Sequence, residues 1–229
     1  MAHKLGFSLK LYHPANGTDT YKGSDNDASG AYIFKPMQND TKKYPYSAFK
    51  TVDSFKGDVV HAIVLQYASD SISELYTAII RMFPHTQVIE FEVKLHGIPI
   101  SDKKGKEVVV NWELLGFDNA AAFYTDSNGL EMQKRVLNER PDWTLVTDEK
   151  QSSNYYPIQQ AIAIRDANST KQMTVMNDRS QGGSVLSSGS IELMQDRRLL
   201  FDDWRGVGEA LNETNLSGTG IQVNARYYI

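Results

Sequence analysis

Residues 174–208 read TVMNDRSQGGSVLSSGSIELMQDRRLLFDDWRGVG, and this stretch decides the fold class of the 229-residue chain. Thr174–Met176 is typical of the end of a β-strand. Asp178–Gly183 is polar, and its paired glycines allow backbone angles that are closed to other residues. The sequence therefore predicts a strand that ends in a turn over these residues and is followed by a second strand.

The second strand is predicted over Gly189–Asp196. Its apolar residues Ile191 and Leu193 flank Glu192, an alternation that has the two-residue period of a β-strand and fits a helix less well. We expect one face of this strand to be buried and the other face, which carries Glu192, to be exposed to solvent.

A segment that combines fixed charges with large apolar side chains follows this strand. Its charged residues are Arg197, Arg198, Asp202, Asp203 and Arg205, and its apolar residues are Leu199, Leu200, Phe201 and Trp204. Arginine offers planar, multidentate donors and aspartate offers acceptors, so such a segment can form one wall of a site for a polar ligand. We expect the function to reside here.

The rest of the chain also reads as β-structure. Residues 71–83 would suit one helical face, but their Tyr, Thr and Ile residues favour a strand. The predicted strands are Phe7–Leu11, Ala31–Lys35, Asp58–Tyr67, Ser71–Phe83 and Thr86–His96, and the predicted hairpin turns are Asn128-Gly129 and Asp166–Asn168. These patterns predict an all-β fold, a large antiparallel β-sandwich in which residues 1–229 form a single domain.

Composition argues against several kinds of partner. The formal net charge is −4 and no basic stripe is present, which argues against nucleic acid or an anionic membrane surface. No apolar stretch is long enough to span a bilayer. The five histidines lack the close spacing of a catalytic zinc site, so we expect no metal site in this chain.

Two sequence features give opposite indications of the cellular compartment. The chain contains no cysteine, which by itself suggests a reducing compartment. Five asparagines favour a lumenal protein, because each begins an N-x-S/T glycosylation sequon: Asn16, Asn39, Asn168, Asn212 and Asn215.

Several short motifs follow one another along the chain. They are ASGAYIFKP at 28–36, GIPI at 97–100 with GKEV at 105–108, FYTDSNG at 123–129, NYYP at 154–157, and the run from DRSQGG to GEAL at 178–211. In this order they resemble the C-terminal β-domain of the glycoside hydrolase family 38 α-mannosidases, and the lysosomal type more closely than the Golgi type. One such motif would be a weak signal, but five in register are specific.

The resemblance implies a supersandwich domain similar to galactose mutarotase, cut from a longer retaining enzyme that removes mannose from N-linked glycans. It implies a zinc ion and a nucleophilic aspartate in the catalytic domain that precedes this region, so this chain is expected to hold no catalytic residue and to be inactive alone. The implied partners are mannose-containing glycans and that catalytic domain, and unpaired surface could also favour a homo-oligomer. The implied location is the lysosome or vacuole, or the lumen of the secretory pathway.

Two site residues are implied by the resemblance. Tyr32, from ASGAY, would hydrogen-bond a sugar hydroxyl or the catalytic carboxylate, and Arg205, from DDWRG, would bind sugar hydroxyls and acidic neighbours. The alternatives are a core aromatic for Tyr32 and an ion pair of Arg205 with an adjacent aspartate. The residues expected to support the site loops are Asp202, Asp203 and Arg179.

The residues themselves leave other functions open. Asp202 and Asp203 could form the carboxyl pair of a retaining glycosidase only if they lie in a loop, so ion pairs with Arg197, Arg198 or Arg205 are favoured. A carbohydrate-binding module would need an exposed aromatic platform, for which the candidates are Trp112, Trp143 and Trp204. The third reading is a purely structural domain that supports a partner.

Overall fold

The computed structural model describes residues 3–15, 28–44, 49–69, 72–168 and 170–229. The described residues form fifteen strands and one 3₁₀ turn at Ser152–Asn154. The strands are β1 (Leu5–Pro14), β2 (Pro36–Tyr44), β3 (Phe49–Lys56), β4 (His61–Ser69), β5 (Ile72–Met82), β6 (Ile89–Leu95), β7 (Lys106–Leu114), β8 (Ala122–Ser127), β9 (Glu131–Val136), β10 (Tyr156–Ile158), β11 (Ala161–Arg165), β12 (Gln172–Asn177), β13 (Gln181–Ser187), β14 (Ser190–Arg198) and β15 (Val223–Tyr228).

The strands build two antiparallel sheets. One sheet has six strands in the order β10-β13-β14-β7-β1-β2, and the other has nine in the order β3-β4-β5-β6-β15-β12-β11-β8-β9. Strand β15, the last of the chain, pairs with β6 on one side and with β12 on the other. It therefore joins the first four strands of the larger sheet to its last four.

The core lies between the inner faces of the two sheets. From the six-stranded sheet, Phe7 and Trp112 project inward, and each lies at most 5 % exposed. The ring of Phe7 lies 5.2 Å from that of Phe91, and the ring of Trp112 lies 4.8 Å from that of Tyr227, both across the sandwich. Burial of such large aromatic side chains is a main source of stability, so these contacts hold the sheets face to face.

The predicted all-β sandwich is confirmed, and so is most of the strand assignment. Residues 72–82 form a strand, as their β-branched and aromatic residues indicated. The hairpin turn at Asn128-Gly129 is confirmed, with φ of 53° and 71°, the left-handed values that such turns require. The hairpin after Arg165 is confirmed by its pairing with Gln172.

The strand predicted at Ala31–Lys35 is wrong, because β2 begins only at Pro36. The backbone N–H groups of Tyr32 and Ile33 donate to a side chain, Asp203, and the Ile33 carbonyl accepts from the Arg197 side chain. These backbone groups are therefore not free to form a strand ladder.

The prediction that Gly182 and Gly183 lie in a turn is also wrong, since both belong to β13. A Cβ on Gly183 would lie 2.6 Å from Leu193 Cδ2 and 2.8 Å from Ile158 Cγ1. Gly183 thus permits close packing of neighbouring side chains, and the connection between β12 and β13 is the shorter segment 178–180.

The expectation that Glu192 faces solvent is wrong as well, because its exposed fraction is 0 %. The alternation is correct, but irregular segments cover the outer face of the six-stranded sheet and bury the glutamate. Tyr155, which immediately follows the 3₁₀ turn, donates a hydrogen bond to Glu192 there.

Candidate functional site

The candidate site lies where the segment from Ala28 to Lys35 meets the long connection between β14 and β15. The first segment precedes β2, and the second begins directly after Arg198 at the end of β14. Both lie at the outer face of the six-stranded sheet. Their contact brings the ASGAY and DDWRG motifs together, although Tyr32 and Asp203 are 171 positions apart in the chain.

Asp203 joins the two segments. Its Oδ2 accepts hydrogen bonds from the backbone N–H of Tyr32 at 2.7 Å and of Ile33 at 3.0 Å, and its Oδ1 accepts from the backbone N–H of Arg205 at 3.2 Å. Burial acts to raise the pKa of the Asp203 carboxyl, but these three donors outweigh it and hold the pKa below its usual value. Asp203 is therefore an ionised structural acceptor, with both of its oxygens engaged.

Gly30 lets the first segment approach the aspartate. A Cβ at this position would lie 2.6 Å from Cβ, Cγ and Oδ2 of Asp203, a distance that real contacts do not show. Gly30 also donates its backbone N–H to the carbonyl of Ile33 at 2.9 Å, which closes a tight turn around Tyr32. Any side chain here would push the turn away from Asp203.

Arg197 holds the other side of the same turn. One guanidinium nitrogen, Nη2, donates to the carbonyl of Ile33 at 2.7 Å and to Glu107 Oε1 at 2.7 Å. Ser29 Oγ lies 2.7 Å from Glu107 Oε1 and accepts a hydrogen bond from the backbone N–H of Lys35 at 2.9 Å. The turn that carries Tyr32 is therefore bound from two sides, by Asp203 and by Arg197.

Glu107 is the buried partner of Arg197. Its exposed fraction is 0 %, and its Oε2 has no hydrogen-bond partner among the described residues. Burial raises the pKa of the Glu107 carboxyl, and the nearby Arg197 and Ser29 oppose this shift without cancelling it. Removal of Arg197 would leave a buried, unpaired carboxylate, which is the costly case for a buried ion pair.

A second buried carboxylate, Glu192, lies beside this cluster. It accepts hydrogen bonds from Lys10 Nζ at 2.6 Å, from the Tyr12 hydroxyl at 2.9 Å and from the Tyr155 hydroxyl at 2.5 Å. Burial is the main cause, and the charge of Glu192 the next, that raises the pKa of the Tyr12 and Tyr155 phenols well above the usual value. These tyrosines therefore act as hydrogen-bond donors at every physiological pH.

Phe34 connects the two buried clusters. Its ring lies 5.8 Å from that of Tyr12 and 4.7 Å from that of Tyr155, and the guanidinium of Arg197 lies 5.9 Å from its centroid. Phe34 follows Tyr32 by two residues, so the segment that carries Tyr32 is anchored by apolar packing as well as by hydrogen bonds.

Above these buried groups, three large side chains extend into solvent. Tyr32 is 64 % exposed, Trp204 is 65 % exposed, and Arg205 is exposed. A phenol, an indole and a guanidinium together can bind a polyhydroxylated ligand, with donors for its hydroxyls and an aromatic face for its C–H groups.

The structure shows the surroundings of Tyr32 and the partners of the charged residues near it. Tyr32 is not a core aromatic, because most of its side chain is exposed. Asp203 accepts hydrogen bonds from backbone N–H groups, and Arg197 forms an ion pair with Glu107. The predicted ion pair between Asp203 and Arg197 is therefore not observed. Arg198 donates instead to the carbonyl of Ile98 and to Asn212.

The remaining predicted residues are less closely connected to the site. Asp202 is partly buried, and within the described part of the chain its Oδ1 has no hydrogen-bond partner. Arg179 lies in the connection between β12 and β13, where its described partners are Asp178 and the carbonyl of Asn224. The contacts among the described residues do not bring Arg179 to the turn of Tyr32.

Of the three tryptophans considered for an aromatic platform, Trp112 is fully buried in the core, so this part of the prediction is wrong. Trp143 and Trp204 are 60 % and 65 % exposed.

Sequence reasoning missed the buried groups that build the site. Ser29, Glu107 and Tyr155 lie inside motifs singled out above, ASGAY, GKEV and NYYP, so their presence in those motifs was a usable signal. Local pattern could not show that Glu107 meets Arg197, because 90 residues separate them in the chain.

Two kinds of feature, a metal-binding cluster and a membrane-spanning helix, are absent from the described residues. They contain no group of three or more His, Cys, Asp or Glu side chains placed to hold a metal ion. Among the same residues, no helix has the length and apolar character needed to cross a bilayer.

Comparison with protein families gives a match over most of the chain. The family model described as the glycosyl hydrolases family 38 C-terminal domain matches residues 2–205. The curated relatives include lysosomal alpha-mannosidase from Bos taurus, 41% identical over 208 residues, and lysosomal alpha-mannosidase from Homo sapiens, 40% identical over 204 residues. Each alignment covers 89% of this chain but only 19% of the relative, so the chain spans about a fifth of the length of these proteins.

Solved structures agree on the fold. An alpha-mannosidase from Enterococcus faecalis V583 superposes with a TM-score of 0.64 at 13% sequence identity, over 97% of this chain and 25% of that one. A second Enterococcus faecalis protein of glycosyl hydrolase family 38 superposes with a TM-score of 0.59 at 12% identity, over 98% of this chain and 26% of that one.

Proposed function

Because this chain belongs to the family of glycosyl hydrolase family 38 C-terminal domains, we propose that it is the C-terminal β-sandwich of a longer, retaining α-mannosidase. Residues 1–229 would form one supporting domain, and the whole protein would release terminal α-D-mannose from N-linked glycans and oligomannosides. The observation that supports the proposal is the junction at Asp203, whose carboxylate accepts hydrogen bonds from the backbone N–H groups of both Tyr32 and Arg205.

In this proposal Tyr32 and Arg205 contact the bound sugar. The Tyr32 phenol donates a hydrogen bond to a sugar hydroxyl or to a carboxylate of the catalytic domain, and the Arg205 guanidinium donates to sugar hydroxyls and acidic neighbours. Both side chains are exposed in this domain, as contact with another part of the protein would require. Asp202 and Asp203 support the loop from which Arg205 projects.

The catalytic chemistry is assigned to the preceding domain. Retaining hydrolysis needs one ionised and one protonated carboxyl on either side of the scissile bond. Asp203 does not suit either role, because its carboxylate is buried and bound by three backbone N–H groups. The described residues do not fit a zinc site, so the zinc implied by the resemblance would be bound by residues outside this chain, and the isolated domain would be inactive.

We further propose a lysosomal or related lumenal location. Five of the curated relatives named lysosomal alpha-mannosidase are mammalian and a sixth is from Dictyostelium discoideum. The glycosylation sequons support the same location; of these, Asn168, Asn212 and Asn215 are described and exposed.

The test is hydrolysis of 4-nitrophenyl α-mannoside, with added zinc, by this chain alone and by the full-length protein. Activity is expected only in the full-length protein. Within it, Arg205→Ala should lower kcat/KM by roughly 10- to 100-fold, since a hydrogen bond from a charged group contributes about 1.5–3 kcal/mol. Tyr32→Phe should lower it by roughly 5- to 10-fold, since a neutral hydrogen bond contributes about 1 kcal/mol.

Arg165→Ala is the matched control, because Arg165 is an exposed arginine at the end of β11 in the other sheet. It should leave kcat/KM unchanged. Unaltered turnover in both the Arg205 and the Tyr32 variants would favour a purely structural domain. Measurable affinity of the isolated chain for mannose, without hydrolysis, would favour a carbohydrate-binding module.

A further inference from the structure

We propose that Asp203 and Arg197 are positioning residues that fix the orientation of Tyr32 by binding the backbone of its turn from opposite sides. The proposal rests on the sugar-contacting role proposed above for Tyr32. It assigns a purpose to two charged side chains and to Glu107, the buried carboxyl of the GKEV motif.

The two charges bind opposite ends of the peptide groups in the turn. Asp203, an anion, accepts from the N–H of Tyr32 and of Ile33, and Arg197, a cation, donates to the carbonyl of Ile33. Each contact is a hydrogen bond with one ionised partner, the stronger class in proteins. Since Arg197 and Asp203 are six residues apart in one segment, a single piece of chain fixes both sides of the turn.

Tyr32 needs such support because little else holds it. Its side chain is 64 % exposed, so side-chain packing contributes little to its orientation. The position of its Cα and the direction of its Cα–Cβ bond, from which the phenol projects, are therefore set by the backbone at residue 32. That backbone is fixed by the Asp203 contact at 2.7 Å, which is shorter than the usual 2.9–3.0 Å of an N–H···O bond.

The charged groups are themselves fixed in place. The guanidinium of Arg197 is bound by Glu107, which is fully buried and cannot turn away to solvent. Both oxygens of Asp203 are occupied by backbone donors, which holds this carboxylate between the turn of Tyr32 and the backbone of Arg205. Gly30 completes the arrangement, because only a residue without Cβ allows the turn to reach Asp203.

The first test is a double-mutant cycle in the full-length protein. Asp203→Asn replaces one acceptor oxygen by an amide group that cannot accept, which should displace the turn. We expect kcat/KM for 4-nitrophenyl α-mannoside to fall by roughly 10-fold or more, since small displacements of a positioning group have large effects. In a protein that already carries Tyr32→Ala, Asp203→Asn should cause a clearly smaller loss, and what remains of the loss reflects the Arg205 backbone that Asp203 also binds.

Asp166→Asn is the matched control. Asp166 also accepts two backbone N–H groups in a loop, those of Thr170 and Lys171, but it lies in the hairpin between β11 and β12. This variant should leave kcat/KM unchanged. Arg197→Lys is the second variant: it keeps a cation beside Glu107 but loses the planar fork that also reaches Ile33, so its effect should likewise depend on Tyr32.

The second test is amide hydrogen exchange in this chain itself. The N–H groups of Tyr32 and Ile33 should be protected in the unaltered protein and exchange at least 10-fold faster in Asp203→Asn. Asp166→Asn should leave both unchanged. This readout reports the geometry without requiring catalysis.

The possible outcomes separate the two proposals. If Tyr32→Ala leaves kcat/KM unchanged, the sugar-contacting role of Tyr32 fails, and the positioning role fails with it. If Tyr32→Ala lowers kcat/KM but Asp203→Asn lowers it equally with and without Tyr32, only the positioning proposal is overturned. Unprotected Tyr32 and Ile33 amides in the unaltered protein would overturn it as well.

Discussion

Trp204 combines an exposed aromatic side chain with a backbone that few residues adopt. Its φ is 53°, in the left-handed region that favours glycine, and 65 % of its side chain is exposed. Packing does not compensate a strained conformation at an exposed residue. Strain that persists without such compensation is a feature of functional sites, which agrees with its place between Asp203 and Arg205.

We predict that Trp204→Gly gives a more stable protein than Trp204→Ala, by about 1 kcal/mol. Glycine relieves the left-handed strain whereas alanine retains it, and both variants remove the same indole. Thermal unfolding of the two variants measures the difference. Equal melting temperatures would show that the backbone at residue 204 carries no strain.

Individual residues were predictable from sequence only where a motif identified them. Tyr32 and Arg205 were selected through their motifs, and the structure places both on the surface. The role of Asp203 as a backbone acceptor was not predictable, because its partners Tyr32 and Ile33 are distant in sequence and belong to a turn that the alternating pattern presented as a strand.

At the level of the strand, β13 shows why glycine is an ambiguous signal. Gly182 and Gly183 have the composition of a turn, yet they lie side by side in a strand and point to opposite faces. A Cβ on Gly183 would collide with Leu193 and Ile158, whereas one on Gly182 would lie 3.3 Å from the nearest atom of Tyr155. Only the positions of neighbouring strands reveal this difference.

We predict that Gly183→Ala destabilises the fold by about 1–3 kcal/mol, the usual cost of inserting a methyl group into a closely packed site. Gly182→Ala should change stability by less than about 1 kcal/mol, because the Tyr155 ring needs to move only slightly. Chemical denaturation of the two variants makes the comparison. A larger loss in Gly182→Ala would contradict the packing described for β13.

Strand β6 was predictable because its alternation continues unbroken, and β5 was predictable from its β-branched and aromatic residues. The segment before β2 was not, because its backbone groups bind side chains from a distant part of the chain. Burial of Glu192 was not predictable for a related reason. The alternating pattern shows that Glu192 lies on the face opposite Ile191 and Leu193, but the segments that bury this face come from other parts of the sequence.

At the scale of the whole molecule, Asp196 links stability to pH. It lies where the register of β14 against β7 shifts by one residue. Burial, followed by the charge of Glu213, raises its pKa to about 6, against the opposing effects of the backbone N–H of Arg197 and the charge of Arg198. The native state therefore takes up a proton at a pH where the unfolded chain does not, so this group favours the fold at acidic pH and loses that contribution as pH rises through about 6.

We predict that Asp196→Asn raises the free energy of unfolding at pH 7.5 by on the order of 1 kcal/mol. This value allows for solvent screening, because the group is partly exposed. Near pH 4 the substitution should have little effect. Melting temperatures at the two pH values measure this, and a shift of about 2–4 °C at pH 7.5 is expected. Glu213→Gln should produce a smaller shift in the same direction. An equal gain from Asp196→Asn at both pH values would contradict the raised pKa.

The position of β15 has a consequence for how the protein is made. A ribosome releases the strands in chain order. The four strands on either side of β15 in the larger sheet therefore leave the ribosome before β15 does. Until Val223–Tyr228 emerges, β6 and β12 each present an open edge to the cellular environment. Completion of the larger sheet thus waits for a strand that is synthesised long after β6, and a truncation before Val223 would leave these edges exposed to aggregation.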